Sequence, residues 1–156
     1  MATIDIQPIN VKAVEMAKQV LALHQAAYAL EARLAGLSSL PPMDRGTLQI
    51  QGLPESFFGA FVGGALAGAI SVEEAHGTIE LCSLAVHPIF QRQGVGRALL
   101  HHGLVLAAGR PLRVSTAAAN LPAICLYQSA GFVVVGRRSV GSPPLPLVQL
   151  QLPQSR

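Results

Sequence analysis

Apolar residues recur along the chain with two different periods, which predict three helices and seven strands. Val14, Ala17 and Leu21 follow the helical period near the N-terminus, and Ala98 and Leu99 follow it again in the second half. Shorter apolar runs bounded by glycine or proline predict strands. The predicted helices are Val11–Leu34, Val95–Ala108 and the segment from Asn120 to Ala130, and the predicted strands are Thr3–Ile9, Ser56–Val62, Leu66–Glu73, Thr78–Val86, Leu112–Thr116, Phe132–Arg138 and Leu147–Leu152.

The order of these elements, β-α-β-β-β-α-β-α-β-β, predicts an α/β domain with a mixed sheet. A chain of 156 residues is one domain's worth, so residues 1–156 are expected to form a single domain. Leu37–Pro42 is expected to be a loop, since Gly36 and two prolines end the first helix. Gly63-Gly64 suits a two-residue hairpin between the second and third strands.

Composition argues for a folded, cytoplasmic protein. Apolar residues make up 51% of the chain and charged residues 12%, which excludes a disordered protein. The uncharged run Phe57–Val72 is shorter than the roughly 18 residues of a membrane span and contains four glycines, so two buried strands explain it better. The first residues do not form a basic segment followed by an apolar one, so no signal peptide is expected. Cys82 and Cys125 are too few for a disulfide framework and are expected to be free thiols.

Charge is distributed unevenly between the two halves. Residues 1–80 hold all eight acids and four basic residues, a net charge of −4, whereas residues 81–156 hold seven arginines and no acid. Such an asymmetry suggests an anionic partner for the second half. The arginines are too scattered for a nucleic-acid-binding arm, so no nucleic acid is expected. A metal–carboxylate site within residues 81–156 is likewise excluded.

An anion-binding turn is predicted where the fourth strand ends and the second helix begins, within residues 84–100. Gly94 and Gly96 let the backbone curl, so that successive N–H groups point into one concavity. The dipole of the new helix favours an anion at the same point, and Arg92 and Arg97 add positive charge. The pattern therefore predicts a phosphate or pyrophosphate site.

Two common nucleotide-binding motifs do not fit this turn. A P-loop needs a Gly-Lys pair, and no lysine follows Lys18. A dinucleotide fingerprint needs a third small residue where Leu99 stands, and an acid about 20 residues further on, which this half of the chain lacks.

The turn instead resembles a motif of the GNAT superfamily of N-acetyltransferases. Its residues Gln91-Arg92-Gln93-Gly94-Val95-Gly96 are similar to the Q/R-x-x-G-x-G/A acetyl-CoA signature, and Leu84-Ala85-Val86-x-Pro88 is similar to the strand before it. Downstream, Asn120-x-x-Ala123-x-x-Leu126-Tyr127-x-x-x-Gly131-Phe132 resembles the second family motif. Both motifs occur at the expected separation, and the detailed resemblance covers about residues 81–133.

The resemblance implies a mixed, mostly antiparallel sheet that is splayed between its fourth and fifth strands and flanked by helices. It implies acetyl-CoA as cosubstrate and no metal. The backbone of Leu84, Ala85 and Val86 would pair with the pantetheine arm and leave one N–H for the thioester carbonyl. Asn120 would reach the pantetheine, cap its own helix, or do both. The pyrophosphate would be held by the turn and the first residues of the helix, namely Gln91, Arg92, Gln93, Gly94, Val95, Gly96 and Arg97.

Two side chains are implied as catalytic. Tyr127 stands where the family places the general acid that protonates the CoA thiolate. Glu80, six residues before Val86, resembles the glutamate base of histone-acetylating members, and strand alternation predicts that it shares a face with Cys82 and Leu84. Family members that resemble the ribosomal-protein N-terminal acetylase carry their glutamate five residues before the motif asparagine. This chain has Ser115 at that position and so departs from their pattern.

The predicted function is transfer of an acetyl group from acetyl-CoA to a primary amine of a small or peptide acceptor. The alternative is a non-catalytic acyl-CoA-binding or sensing module of the same fold. Tyr127 and Glu80 together favour the enzyme. A homodimer is one possible assembly, and no membrane partner is expected. His24, Tyr28 and Glu31 share the first helix, in the region where the resemblance places the acceptor pocket, and ordinary packing of a helix face is the favoured interpretation. The adjacent His101-His102 diverge too far to bind a metal.

Overall fold

One mixed sheet of seven strands runs through the computed structural model, which describes residues 3–34, 36 and 45–154. Four helices flank the sheet in the described residues, and a short 3-10 turn, Pro88–Phe90, follows the fourth strand. The helices are α1 (Val14–Leu34), α2 (Thr47–Gln51), α3 (Val95–Ala107) and α4 (Leu121–Ser129), and the strands are β1 (Asp5–Ile9), β2 (Ser56–Val62), β3 (Ala65–Ala75), β4 (Thr78–Val86), β5 (Leu112–Ala117), β6 (Val133–Val140) and β7 (Leu145–Leu152).

The sheet is splayed between β4 and β5, as the resemblance implied. Its strand order is β1-β2-β3-β4-β5-β7-β6, and every neighbouring pair is antiparallel except β4 and β5. These two strands pair in parallel over three residues only, Ile79–Leu81 against Leu112–Val114. Beyond that point β4 continues to Val86 and β5 to Ala117 without pairing each other. The predicted α/β class and splay are therefore confirmed, and the element order differs from the prediction only by the added helix α2.

The two long helices cover opposite faces of the sheet. In α3, every fourth residue from Val95 to Ala107 is buried, because this spacing keeps one side of the helix towards the core. Its Leu99 packs in one cluster with Ile70 and Leu81. On the other face, Leu23 and Ala27 of α1 pack against small alanines of β3 and β4. No helix in the described ranges is long and apolar enough to cross a membrane.

The ends of several elements differ from the prediction. Helix α1 begins at Val14 rather than Val11, and β3 extends to Ala75 rather than Glu73. Helix α2 was not predicted, because five residues are too few to show a helical period. It is held at its start by the Gly46 N–H, which donates to Gln49 Oε1 at 2.8 Å. The loop predicted at residues 37–42 lies outside the described residues.

A β-bulge in β4 overturns the predicted facing of Glu80. Ser71 of β3 pairs with Ser83, but the next residue, Val72, pairs with Leu81, so β4 carries one extra residue at Cys82. Leu81 and Leu84 consequently both pack in the α3-side cluster. Glu80 alternates with Leu81 and therefore faces away from Leu84. The prediction that Glu80 and Leu84 share a face is wrong, because simple alternation does not survive the bulge.

We expect Gly68→Ala to destabilise the fold by about 1–3 kcal/mol through overpacking. A Cβ at this position would lie 2.8 Å from Val95 Cγ1 and 2.9 Å from the Ala85 carbonyl oxygen. The carbonyl oxygen belongs to the backbone of β4, so it cannot move aside as a side chain can. Denaturant unfolding measures the change. Gly96→Ala is the control, since its Cβ would lie 3.5 Å from Leu126 Cδ2. In a helix this exchange should be neutral or stabilising by up to about 1 kcal/mol. Equal losses in both variants would contradict the steric argument.

Candidate active site at the splay

A polar turn connects the end of β4 to α3. The Gln91 side-chain amide donates to the Val86 carbonyl at 3.3 Å, and the Ile89 N–H donates to His87 Nδ1 at 3.2 Å. Gln93 Nε2 donates to the Ile89 carbonyl at 3.4 Å. These hydrogen bonds stabilise the turn beside the end of β4, next to the opening between β4 and β5.

The start of α3 presents unpaired backbone amides to this turn. The N-cap Gly94 has a φ of +83°, a left-handed conformation that favours glycine. The first helical hydrogen bond runs from the Ala98 N–H to the Gly94 carbonyl, so the N–H groups of residues 95–97 have no partner within the helix. Arg92 and Arg97 are exposed on either side of Gly94. The sequence-predicted anion cradle is thus assembled at one point.

The free edge of β4 offers further backbone groups to the splay. The His87 N–H donates to the Ala67 carbonyl of the preceding hairpin at 2.8 Å. Pairing groups alternate along an antiparallel strand, so those of Ala85 also point towards β3. The N–H and C=O groups of Leu84 and Val86 therefore point towards the gap left by β5. Of the three backbone positions implied by the resemblance, two are directed into the cleft.

Two cavities meet inside the splay. The first, of about 290 Å³, is bounded by the end of α1, the turn after β4 and the face of α4. The second, of about 320 Å³, lies between β4 and β5 and extends to β6 and β7. Four residues line both cavities, namely Glu31, Leu84, Ala123 and Tyr127. The cleft therefore has two chambers, with a tyrosine and a glutamate where they join.

Asn120 is buried at the start of α4 and lines the first cavity. Its Oδ1 accepts the Ala123 N–H at 3.2 Å, which makes it the N-cap of the helix. The capping role predicted from the sequence is therefore present. The carboxamide nitrogen is the part of this side chain that could bind a ligand in the cavity.

Tyr127 is packed at the junction of the cavities. Only 3% of its surface is exposed, and its ring lies 5.5 Å from that of Phe132, which follows α4. Burial raises the pKa of the Tyr127 phenol above its ordinary value, and the nearby Glu31 and Tyr28 raise it further. The phenol therefore carries its proton at neutral pH and can act as a donor.

Glu31 is the site residue that sequence reasoning assigned to packing. It lies in the last turn of α1, one helical turn after Tyr28 and Ala27. Tyr28 lines the second cavity and Ala27 the first, and Glu31 lines both. Burial raises the pKa of the Glu31 carboxyl to about 7. The available signal was an acid beside the largely apolar buried face of an amphipathic helix.

Glu80 lies on the edge of this arrangement. It pairs with Glu73 across the β3–β4 hairpin and lines neither cavity. Partial burial raises the pKa of its carboxyl, an effect that Arg113 and Arg138 oppose and Glu73 supports. The structure brings Tyr127, Asn120 and the anion cradle together, and it leaves Glu80 outside that group.

The other candidate side chains have packing roles. His24 is 1% exposed, and burial lowers the pKa of its imidazole to about 4, so the ring is neutral. It packs 5.0 Å from the Tyr28 ring, as predicted. Cys82 and Cys125 are free thiols. Within the described part of the chain, no three metal-ligating side chains come together.

The splayed sheet with an anion cradle after its fourth strand defines a GNAT-type fold. The chain belongs to the acetyltransferase (GNAT) family, whose model matches residues 20–132. It is 34% identical over 128 residues to the UPF0157 protein YqkA of Bacillus subtilis, a match that covers 81% of this chain and 37% of that protein. The chain thus spans little more than a third of this relative's length.

Solved structures share the fold at low identity. The ribosomal-protein-S18-alanine N-acetyltransferase of Escherichia coli superposes with a TM-score of 0.77 at 24% identity, covering 99% of this chain and 96% of that one. The yncA acetyltransferase of Salmonella typhimurium, solved with its cofactor acetyl-CoA, gives a TM-score of 0.73 at 18% identity, with 99% and 96% covered. At these identities the likeness establishes the fold.

We expect Cys125 to react with iodoacetamide at pH 8 at least roughly tenfold faster than Cys82. Burial, together with Glu55, Glu73 and Glu80, raises the pKa of the Cys82 thiol to about 12, so little reactive thiolate is present. Mass spectrometry of the two peptides over time measures both rates, with Cys82→Ser as the assignment control. Equal rates would contradict the electrostatic description of the second cavity.

Proposed function

We propose that the protein transfers the acetyl group of acetyl-CoA to a primary amine, which attacks the thioester directly. The observation that carries this proposal is the position of Tyr127, a buried proton donor where the chamber behind the anion cradle meets a second chamber. A cofactor in the first chamber and an acceptor in the second would then meet beside the phenol. A module that only binds acyl-CoA has no use for such an arrangement.

The cradle fits the pyrophosphate of coenzyme A. The backbone amides of residues 92–97 would bind its oxygens, and the exposed Arg92 and Arg97 would balance its charge. The side chains of Gln91 and Gln93 already brace the turn and would keep these amides in place. The β4 groups of Leu84 and Val86 would pair with the pantetheine amides, with Asn120 on the opposite wall.

The β4 edge also supplies electrostatic stabilisation. Acetyl-CoA supplies the thioester carbon at which the amine reacts. An N–H of Leu84 or Val86 in the cleft would donate to the thioester oxygen as negative charge develops there. Such a donor is effective because it is fixed by the sheet and need not reorient during the reaction.

Tyr127 would then protonate the departing thiolate. A phenol has an ordinary pKa near 10 and a thiol near 8.5, so proton transfer from the phenol to the thiolate is uphill, and burial of Tyr127 makes it more so. The site must therefore assist this transfer.

A second group must take the proton of the amine. Glu80, the carboxylate implied by the resemblance, could act only through intervening water, because it lines neither cavity.

Coenzyme A should raise the melting temperature of the parent protein. At a concentration one hundred times Kd, the folded state should be stabilised by about 2.7 kcal/mol. Gly94→Glu should abolish this shift, because it places a carboxylate against the pyrophosphate. Gly77→Glu in the β3–β4 turn is the matched control, since Gly77 has a similar φ of +78° and open space around its Cα but lies at the other end of β4. No shift in the parent protein would contradict the proposed function.

Tyr127→Phe should lower kcat by roughly a hundredfold while leaving the thermal shift with coenzyme A nearly intact. The exchange removes a proton donor and little volume. Release of free thiol from acetyl-CoA in the presence of a set of primary amines measures the rate. An unchanged kcat would show that another group supplies the proton. Binding of acetyl-CoA without any turnover by the parent protein would instead indicate the non-catalytic alternative.

A further inference from the structure

Glu31 occupies a position that packing does not explain. Among the described residues that line the two cavities, it is the one carboxylic acid. It lies in the last turn of α1, where the helix dipole disfavours negative charge, and it is half-buried against the walls of both cavities. Both features cost stability when the group is ionised. A glutamine or leucine would fill the same space without that cost.

Among the described residues that line the two chambers, every other charged or titratable side chain is a cation or a proton donor. Tyr28 of α1, Tyr127 of α4 and Cys82 of β4 are protonated at neutral pH, because burial raises the pKa of each. The charged groups are arginines, namely Arg92 and Arg97 at the cradle and Arg138 of β6 at the second cavity. None of these can attract an ammonium group or accept its proton. Glu31 can do both.

We propose that Glu31 binds the ammonium group of the acceptor where the two cavities meet and takes its proton. This inference rests on the proposed function. Glu31 lines the chamber of the cofactor and that of the acceptor alike, so an amine beside it is also beside the thioester. Tyr127 lines the same junction, where it would protonate the leaving group. Acid and base would thus both act at one reacting carbon.

The proton balance closes with these two residues. Glu31 takes one proton from the ammonium, and the free amine forms the C–N bond as the C–S bond breaks. The sulfur receives the proton of Tyr127. The amine loses its second proton as it becomes an amide, and this proton restores the Tyr127 phenol. Glu31 then releases its proton to solvent, so the reaction yields the amide, coenzyme A and one free proton.

The ionisation of Glu31 supports this role. Because the pKa of its carboxyl is raised to about 7, Glu31 is protonated and inactive as a base at low pH and becomes ionised as pH rises through neutrality. The rate should therefore rise with pH through about 7. A base with this pKa is better matched to an amine near 8 than an ordinary carboxylate is.

The test is the pH–rate profile of E31Q with acetyl-CoA and two peptide probes, one with a free N-terminal amine and one with a single lysine and a blocked N-terminus. E31Q should lose about a hundredfold in kcat/KM at pH 7 and much less above pH 9, where more of the amine is neutral. E31D, which keeps a carboxylate, should retain the inflexion near neutrality. E15Q is the matched control on the same helix, since Glu15 is exposed and forms an ion pair with Lys18 at 3.6 Å.

Two further measurements separate this role from a structural one. Carbon-13 NMR of the glutamate carboxyls should show a group that titrates near pH 7 in the parent protein and is missing in E31Q. The double variant E31Q/S115E returns a carboxylate to the second cavity from β5, because Ser115 lines that cavity. It should recover part of the lost rate at pH 7.

An E31Q profile parallel to that of the parent, with the same limiting rate, would overturn the inference and leave the proposed function intact. The inference would also be overturned if E80Q, and not E31Q, showed the loss confined to neutral pH. Absence of turnover by the parent protein with both probes and the wider amine set would overturn the proposed function and this inference together.

Discussion

The short parallel pairing of β4 and β5 is the constraint on which the rest of the site depends. Three residue pairs hold the two strands together, and each strand then follows its own direction. The gap exposes backbone groups of Leu84 and Val86 that an ordinary sheet would have paired. It also creates room for two chambers between helices that are otherwise packed on opposite faces. A longer β4–β5 ladder would satisfy the backbone and remove the site.

The stability of the splay comes from its surroundings. On one face, Leu99 of α3 packs against Ile70 and Leu81, and on the other, Leu23 and Ala27 of α1 pack against small alanines. On both sides of the bulge at Cys82, β4 stays paired with β3, from Thr78 to Val86. The strand is therefore fixed on one edge and free on the other, as a preorganised donor in the cleft requires.

Local signals predicted the element order and the anion-binding turn, and the family resemblance implied the splayed sheet. The chemistry at the centre of the site depends instead on contacts between residues that are distant in sequence. Glycine spacing and the strand–turn–helix order were enough to place Gly94 and the amides of α3. The facing of Glu80 was mispredicted because a bulge leaves no mark in the hydrophobic pattern. The position of Glu31 at the junction of the cavities could not be derived from the pattern alone, since the cavity is made by α1, β4 and α4, which lie far apart along the chain.

Coupling between Glu31 and Tyr127 would ease the hardest proton transfer of the proposed reaction. The charge of Glu31 is one of the causes that raise the pKa of the Tyr127 phenol. While Glu31 is ionised, before the acceptor binds, the pKa of Tyr127 is accordingly higher and the phenol keeps its proton. Once Glu31 has taken a proton from the amine it is neutral, and this part of the shift disappears. In the proposed reaction, Tyr127 would thus become a stronger acid only after the amine has been activated, when the thiolate is about to leave.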